Sequence, residues 1–163
     1  MSILIFSQPV RSGKTTELMQ YCDEIEKSKS LGGILMPDID GSRKLFDIST
    51  KKLFDMECKD ASAFTGSLIT VGKFIFYADV FEKANVIILQ AASHSDFLII
   101  DEVGKLELDQ KGFYPSVKKI LNKDEFIGPA KNLLLVVRDS LYDQVVAFFE
   151  IRQHVLVSNL NEI

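Results

Sequence analysis

Eight residues constrain this chain more than any others: Gln8-Pro9-Val10-Arg11-Ser12-Gly13-Lys14-Thr15. They match G-x-x-x-x-G-K-[S/T] at every fixed position except the first, where Gln8 stands for glycine. That pattern belongs between a buried strand and a helix, and both flanks are legible. Ile3-Leu4-Ile5-Phe6 is a continuous apolar run, suited to a strand covered on both faces. Beyond the loop, Leu18, Tyr21, Cys22 and Ile25 recur at helical spacing, with Glu17, Glu24, Glu26 and Lys27 between them, up to the polar stretch before Gly32-Gly33. In such a loop the backbone N–H groups point at phosphate oxygens, and the helix N-terminus adds partial positive charge.

The reading assigns Gln8, Pro9, Val10, Arg11, Ser12, Gly13, Lys14, Thr15 and Thr16 to a triphosphate site. Gly13 lets the backbone approach closely, Lys14 puts a point charge near the β- and γ-phosphates, and Thr15 offers its hydroxyl to Mg²⁺. Thr16 is expected to pack or cap. Arg11 either touches the triphosphate or faces solvent. Gln8 is a departure that narrows the loop or weakens binding.

A phosphate loop of this kind needs an acid at the tip of a neighbouring apolar strand. Phe97-Leu98-Ile99-Ile100-Asp101-Glu102 supplies it. Asp101 is expected to serve the metal, through water. Glu102, one position on, is expected to orient the attacking water or take its proton. Catalysis of this type is positioning and charge stabilisation, so another cation is needed near the leaving phosphate. Arg138 ends the Leu133–Val137 run, where ligands bind beyond the carboxyl ends of parallel strands; it is either that catalytic cation or a salt-bridged surface arginine.

Short β-like runs fill the stretch from Gly33 to Tyr77: Ile34-Leu35-Met36, Lys44 to Ile48, Leu53 to Met56, Ile69-Thr70-Val71 and Phe74 to Tyr77, with turns at Asp40-Gly41, Ser49 to Lys52 and Thr65 to Ser67. They predict β-hairpins that extend the sheet antiparallel. Residues 79–92 read as a helix, although Val86 to Leu89 alone fits a strand. Phe113, Val117, Ile120 and Leu121 mark another helix, Leu133 to Val137 a central strand, Ser140 and Asp143 a helix start, and His154 to Val157 a closing strand. The alternation predicts a three-layer α/β P-loop NTPase fold in which a mostly parallel central sheet carries antiparallel hairpin strands, all within one domain of residues 1–163.

Net charge is −4 with no Lys/Arg run of five or more, which disfavours nucleic acid as a partner. No apolar run is long enough to span a membrane, and the N-terminus lacks a signal-peptide pattern. Two cysteines, Cys22 and Cys58, without a CxxC or Cys/His cluster, read as reduced thiols of a cytoplasmic protein. His94 and His154 form no metal pattern. Lys73 and Lys105 either face the phosphates or are solvated or salt-bridged, Glu107 reads as paired with a nearby cation, and Phe148 and Phe149 read as core. No segment reads as a dedicated partner surface.

Asp101-Glu102-Val103-Gly104-Lys105-Leu106-Glu107-Leu108 resembles the "DEIGKMEL" signature of the small P-loop nucleoside-triphosphatases of the thermophile-type, cancer-related family. Val71-Gly72-Lys73-Phe74 resembles its "VGKY" segment and Phe46-Asp47-Ile48 its "GFDI" strand; Asp79 to Glu82 and Ala91-Ala92 fit as well. The likeness covers roughly residues 2–160. It implies an additional-strand P-loop fold and slow, Mg²⁺-dependent hydrolysis of triphosphates such as ATP or GTP, with loose base selectivity. It also implies that Gly13, Lys14 and Thr15 bind phosphate and metal, Asp101 serves the metal and Glu102 is the base. Departures are Gln8, Asn159-Leu160-Asn161 where the family has N-R-D, and Arg138 where a histidine is frequent. Two other functions stay open: a small nucleotide or nucleoside kinase, for which no arginine-rich lid is visible, and a nucleotide-dependent binding switch with little turnover.

Overall fold

Continuous apolar runs become strands covered on both sides, and here helices separate most of them while a block of short strands follows β2. The computed structural model describes residues 1–9, 13–122, 130 and 132–163. Strand β1 (Ser2–Gln8) leads through the loop into helix α1 (Lys14–Ile25). There follow β2 (Leu31–Leu35), β3 (Asp38–Ile39), β4 (Ser42–Asp47), β5 (Lys52–Asp55), β6 (Leu68–Val71) and β7 (Phe74–Tyr77). Helix α2 (Ala78–Ala92) leads to β8 (Phe97–Val103), then α3 (Lys105–Leu108) and α4 (Tyr114–Leu121). Strand β9 (Asn132–Arg138), a 3₁₀ turn (Asp139–Leu141), α5 (Tyr142–Phe148), β10 (Val155–Val157) and a final 3₁₀ turn (Leu160–Glu162) complete the order.

Among the described residues the main sheet runs β10-β1-β9-β8-β2-β4-β3, with β5 also on β4. β10, β1, β9, β8 and β2 are mutually parallel, and β2–β4, β3–β4 and β4–β5 pair antiparallel. β9 thus lies between the loop-bearing strand β1 and the acid-bearing strand β8. Leu4, Phe6, Phe97, Ile99, Leu134 and Val136 face α1, while Ile5, Leu98, Ile100, Leu133, Leu135 and Val137 face the layer of α2, α4 and α5. The two-residue side-chain period of a strand produces that division.

Two local expectations are corrected. The hairpin β6–β7 does not join the main sheet. Among the described residues its strands pair with each other, and an isolated bridge, Glu57 to Phe76, links them to the segment after β5. Its attachment is by packing: Phe76 is buried and meets Phe81 of α2 edge to face. The helix expected to start at Ser140 begins instead at Tyr142, after the 3₁₀ turn. Val86 to Leu89 lie inside α2, whose buried stripe of Val80, Ala84, Ile88 and Ala91 follows helical spacing.

Gly33 fixes the contact of β2 with β8. Its φ is +109°, and a Cβ there would sit 2.0 Å from the Ile99 carbonyl oxygen. Gly33→Ala is expected to cost roughly 2–5 kcal/mol, a backbone penalty plus overpacking at a strand pair. Chemical denaturation measures it.

Candidate functional site

The site forms where β1, β8 and β9 end. Gln8 on β1 lies in register with Arg138 on β9. On the other side β9 pairs with β8, Ile100 opposite Leu135 and Val103 opposite Val137, so the register shifts between Ile100 and Val103. Asp101 and Glu102 occupy that irregularity, and the peptide between them is cis. Irregularities of this kind re-aim side chains near active sites.

Asp101 is almost fully buried, and its Oδ2 accepts from Thr15 Oγ1 at 3.0 Å and from the Met36 backbone N–H at 3.1 Å. The first bond ties the first turn of α1 to the tip of β8, although β9 separates their strands. Burial pushes the Asp101 carboxyl up to about 6; the Met36 N–H pulls it back, the Glu102 charge raises it further and the Thr15 hydroxyl lowers it. Glu102 has a different partner. Its Oε1 accepts from Arg138 Nε, with the carboxylate mostly shielded and the guanidinium partly exposed. Arg138 is therefore salt-bridged, to the expected base itself.

Lys14 is buried, and its Nζ donates to the carbonyls of Gln8 (3.1 Å) and Pro9 (2.7 Å), holding the loop's first limb. Gly13 precedes α1 with φ 89°, a conformation that favours glycine. Thr16, expected to pack or cap, is exposed on the first turn instead. Val10, Arg11 and Ser12 lie outside the described residues. Gln8 points out of the loop: its Nε2 donates to Glu17 Oε2 (3.2 Å) and to the Ser158 carbonyl (3.0 Å). The departure from glycine thus links β1 to α1 and to the segment after β10.

Glu107, expected to pair with a nearby cation, has backbone partners instead, and that expectation is corrected. It is buried, and its two oxygens accept from the backbone N–H groups of Gly104 and Phe113, both at 2.8 Å. The clamp fixes the turn following the acidic pair. A glutamate three residues after Gly104, ahead of a helical turn, was the available signal. Burial pushes Glu107 up to about 7, against the pull of those N–H donors. A carboxyl raised in the folded state binds protons more tightly there than when unfolded. Its contribution is full below the unfolded value of 4.5 and is lost as pH rises through about 7. Relative to Glu107→Gln, the wild type should lose on the order of 3 kcal/mol of stability between pH 4 and pH 8. Denaturation of both proteins across that range measures the slope.

Lys73 and Lys105 are exposed, with the Lys73 ammonium 5.2 Å from the Phe74 ring centre. His154 Nε2 meets Tyr142 Oη at 2.6 Å. Phe148 is 38% exposed, so the core expectation holds poorly for it; both it and Phe149 lean on Tyr114. Arg43 went unnoticed in the sequence: its Nη1 donates to the Met36 carbonyl, beside the N–H that serves Asp101. Only the β2–β4 pairing brings it there, so no local signal announced it.

Comparison with known proteins agrees with this frame. Residues 3–162 match the model of a family described as NTPase. The chain is 30% identical to nucleoside-triphosphatase THEP1 of Thermofilum pendens over 69% of its own length and 64% of that protein. It is 30% identical to the Methanopyrus kandleri protein of the same name over 66% and 60%, and 29% identical to that of Methanosarcina barkeri over 90% and 82%. For the first two, the match spans less than two thirds of the relative. The crystal structure of THEP1 from the hyperthermophile Aquifex aeolicus superposes with a TM-score of 0.66 at 22% identity, covering 97% of this chain and 89% of that one. That likeness shows the shared fold, and in this chain β9 is the strand between loop and acid. With its phosphate-loop sequence, its acid on the next strand but one and a family match over nearly its whole length, the chain belongs to the NTPase family.

Proposed function

We propose that the chain, as one domain, hydrolyses nucleoside triphosphates to diphosphate and phosphate, with Mg²⁺ and loose base selectivity. The observation that carries this is the 3.0 Å bond from Thr15 to Asp101 across the intervening strand. It brings the loop's hydroxyl and the strand's carboxylate to one point.

The donor set suits magnesium. A hydroxyl and a carboxylate are hard oxygen ligands, and Mg²⁺ is commonly held by one or two protein groups while it keeps several waters. Among the described residues no group of three His, Cys, Asp or Glu side chains is placed to hold a metal alone, so substrate oxygens and water would complete the shell. Thr15 and Asp101 would hold the ion, and when bound it supplies positive charge against the phosphate oxygens.

The chain's own groups do the rest. Lys14, now on two loop carbonyls, is the charge available to the β- and γ-phosphates. Glu102 orients a water and takes its proton as the water oxygen bonds to the γ-phosphorus and the bond to the β-phosphate oxygen breaks. Arg138 holds Glu102 in place and presents the exposed part of its guanidinium to the phosphoryl group. Both cysteines are free and buried, which suits a reducing compartment such as the cytoplasm. No described helix is long and apolar enough to cross a membrane.

The test is phosphate release from ATP, GTP, CTP and UTP with Mg²⁺. Release from several of them, abolished in Glu102→Ala, supports hydrolysis. Tight binding without turnover in either protein contradicts it and favours a switch.

A further inference from the structure

Two arginines flank the expected base from opposite sides of its strand. In the order β9-β8-β2-β4, Arg138 stands on one neighbour of β8, and Arg43 stands on β4, beyond the other. Both line one cavity of about 100 Å³ together with Glu102, so that cavity belongs to the same centre. It has room for a phosphoryl group and its attacking water, since one water needs about 10–15 Å³ on the same measure. The two charges are placed differently. Arg138 donates to Glu102 and is matched by that carboxylate. The Arg43 guanidinium forms no ion pair among the described residues. Its Nη1 donates to the Met36 carbonyl at 3.1 Å, and its Cζ lies 6.0 Å from the Phe74 ring centre. Among the described residues the other N–H groups of the fork are unpartnered. The backbone beneath it is fixed: the Arg43 N–H donates to Glu57 Oε2 at 3.0 Å, and its carbonyl accepts from the N–H groups of Met56 and Glu57. The other Glu57 oxygen is occupied by Lys59. Strand, carbonyl and ring thus hold the fork before any ligand arrives, as charge stabilisation requires. The apolar wall of Phe74, Phe76, Phe81 and Phe113 keeps the local dielectric low, which strengthens the charge. The charge already reaches Asp101: burial raises that carboxyl, and Arg43 is among the influences that lower it.

We infer that Arg43 is a further catalytic residue of the hydrolysis, its guanidinium donating to an equatorial oxygen of the γ-phosphoryl group in the transition state. This rests on the triphosphatase reading of the same centre. The water oxygen bonds to the γ-phosphorus, the bond to the β-phosphate oxygen breaks, and the water proton passes to Glu102. Negative charge is then spread over the equatorial oxygens of the transferred group. Arg43 meets that charge without giving up a proton, because a guanidinium stays charged in proteins. The antiparallel strands added to the parallel sheet therefore deliver a reacting group as well as extending the fold.

The experiment compares wild type, Arg43→Gln and Arg43→Ala, after thermal unfolding confirms that each folds. Glutamine can still donate to the Met36 carbonyl but carries no charge; alanine lacks both. Single-turnover phosphate release from ATP with Mg²⁺ is measured. A non-hydrolysable triphosphate analogue is titrated with and without Mg²⁺, and so is ADP with Mg²⁺ and aluminium fluoride, which mimics the phosphoryl group in transfer. Both variants are expected to slow release by about 10²–10³-fold, the range for removing one charge-stabilising donor. Both should bind the aluminium fluoride complex at least tenfold more weakly, while affinity for the analogue and its strengthening by Mg²⁺ stay within about threefold of wild type. Release by Arg43→Gln near the wild-type rate overturns the inference; if Arg43→Ala alone is slow, only the Met36 bond matters. Loss of the Mg²⁺ strengthening in Arg43→Gln overturns it too, because Arg43 then acts through Met36 on Asp101. Equal weakening of the analogue and the aluminium fluoride complex assigns Arg43 to ground-state binding and overturns it likewise. Each of these results leaves the hydrolase reading intact, whereas a wild type that releases no phosphate from any triphosphate sinks that reading itself.

Discussion

Glu102→Gln slows phosphate release by about 10²–10⁴-fold, the range associated with removing a positioned general base, and leaves nucleotide affinity nearly unchanged. Glutamine is close to isosteric, and its amide oxygen can still accept from Arg138 Nε. The variant therefore keeps the shape of the wall and loses only the proton acceptor. Single-turnover phosphate release, with affinity measured separately, reads the two quantities apart. An equal loss of binding and turnover would assign Glu102 to substrate binding instead of chemistry.

Lys14→Ala acts on binding as well as chemistry. Its ammonium is the loop's buried cation, so the variant should lower turnover by roughly 10²–10³-fold, as removal of a single charge-stabilising donor does elsewhere. It also leaves the carbonyls of Gln8 and Pro9 without that donor. A loss of about 1–3 kcal/mol in stability is expected before any nucleotide is added. Nucleotide at a hundred times its dissociation constant should stabilise the wild type by about 2.7 kcal/mol. At the same concentration it should stabilise the variant much less. Thermal unfolding with and without nucleotide, beside a turnover assay, checks all three.

The parts of this site that were legible in the sequence are those whose signal is local. Strand, loop and helix are contiguous around Gly13-Lys14-Thr15, and four apolar residues before Asp101 mark a strand end. What could not be read depends on pairings distant in sequence. That β9 stands between β1 and β8 sets Arg138 against Glu102, and neither residue's neighbours foretell the other. Gln8 is similar: its partners Glu17 and Ser158 lie on a helix and on the segment after the edge strand. The hairpin β6–β7 has the alternation of a sheet strand, but aromatic packing of Phe76 on α2 outweighs further ladder pairing. Glu107 is the instructive miss. A charged residue in a turn between lysines reads as ion-paired until the fold closes two backbone donors around it.

All of this depends on Thr15 and Asp101 acting together on one metal-bound triphosphate. The direct measurement is calorimetric titration of a non-hydrolysable triphosphate analogue into the wild type and Asp101→Asn, each with and without Mg²⁺. The account predicts that Mg²⁺ strengthens binding by at least tenfold in the wild type, and that this strengthening largely disappears in Asp101→Asn. Equal strengthening by Mg²⁺ in both proteins would contradict it.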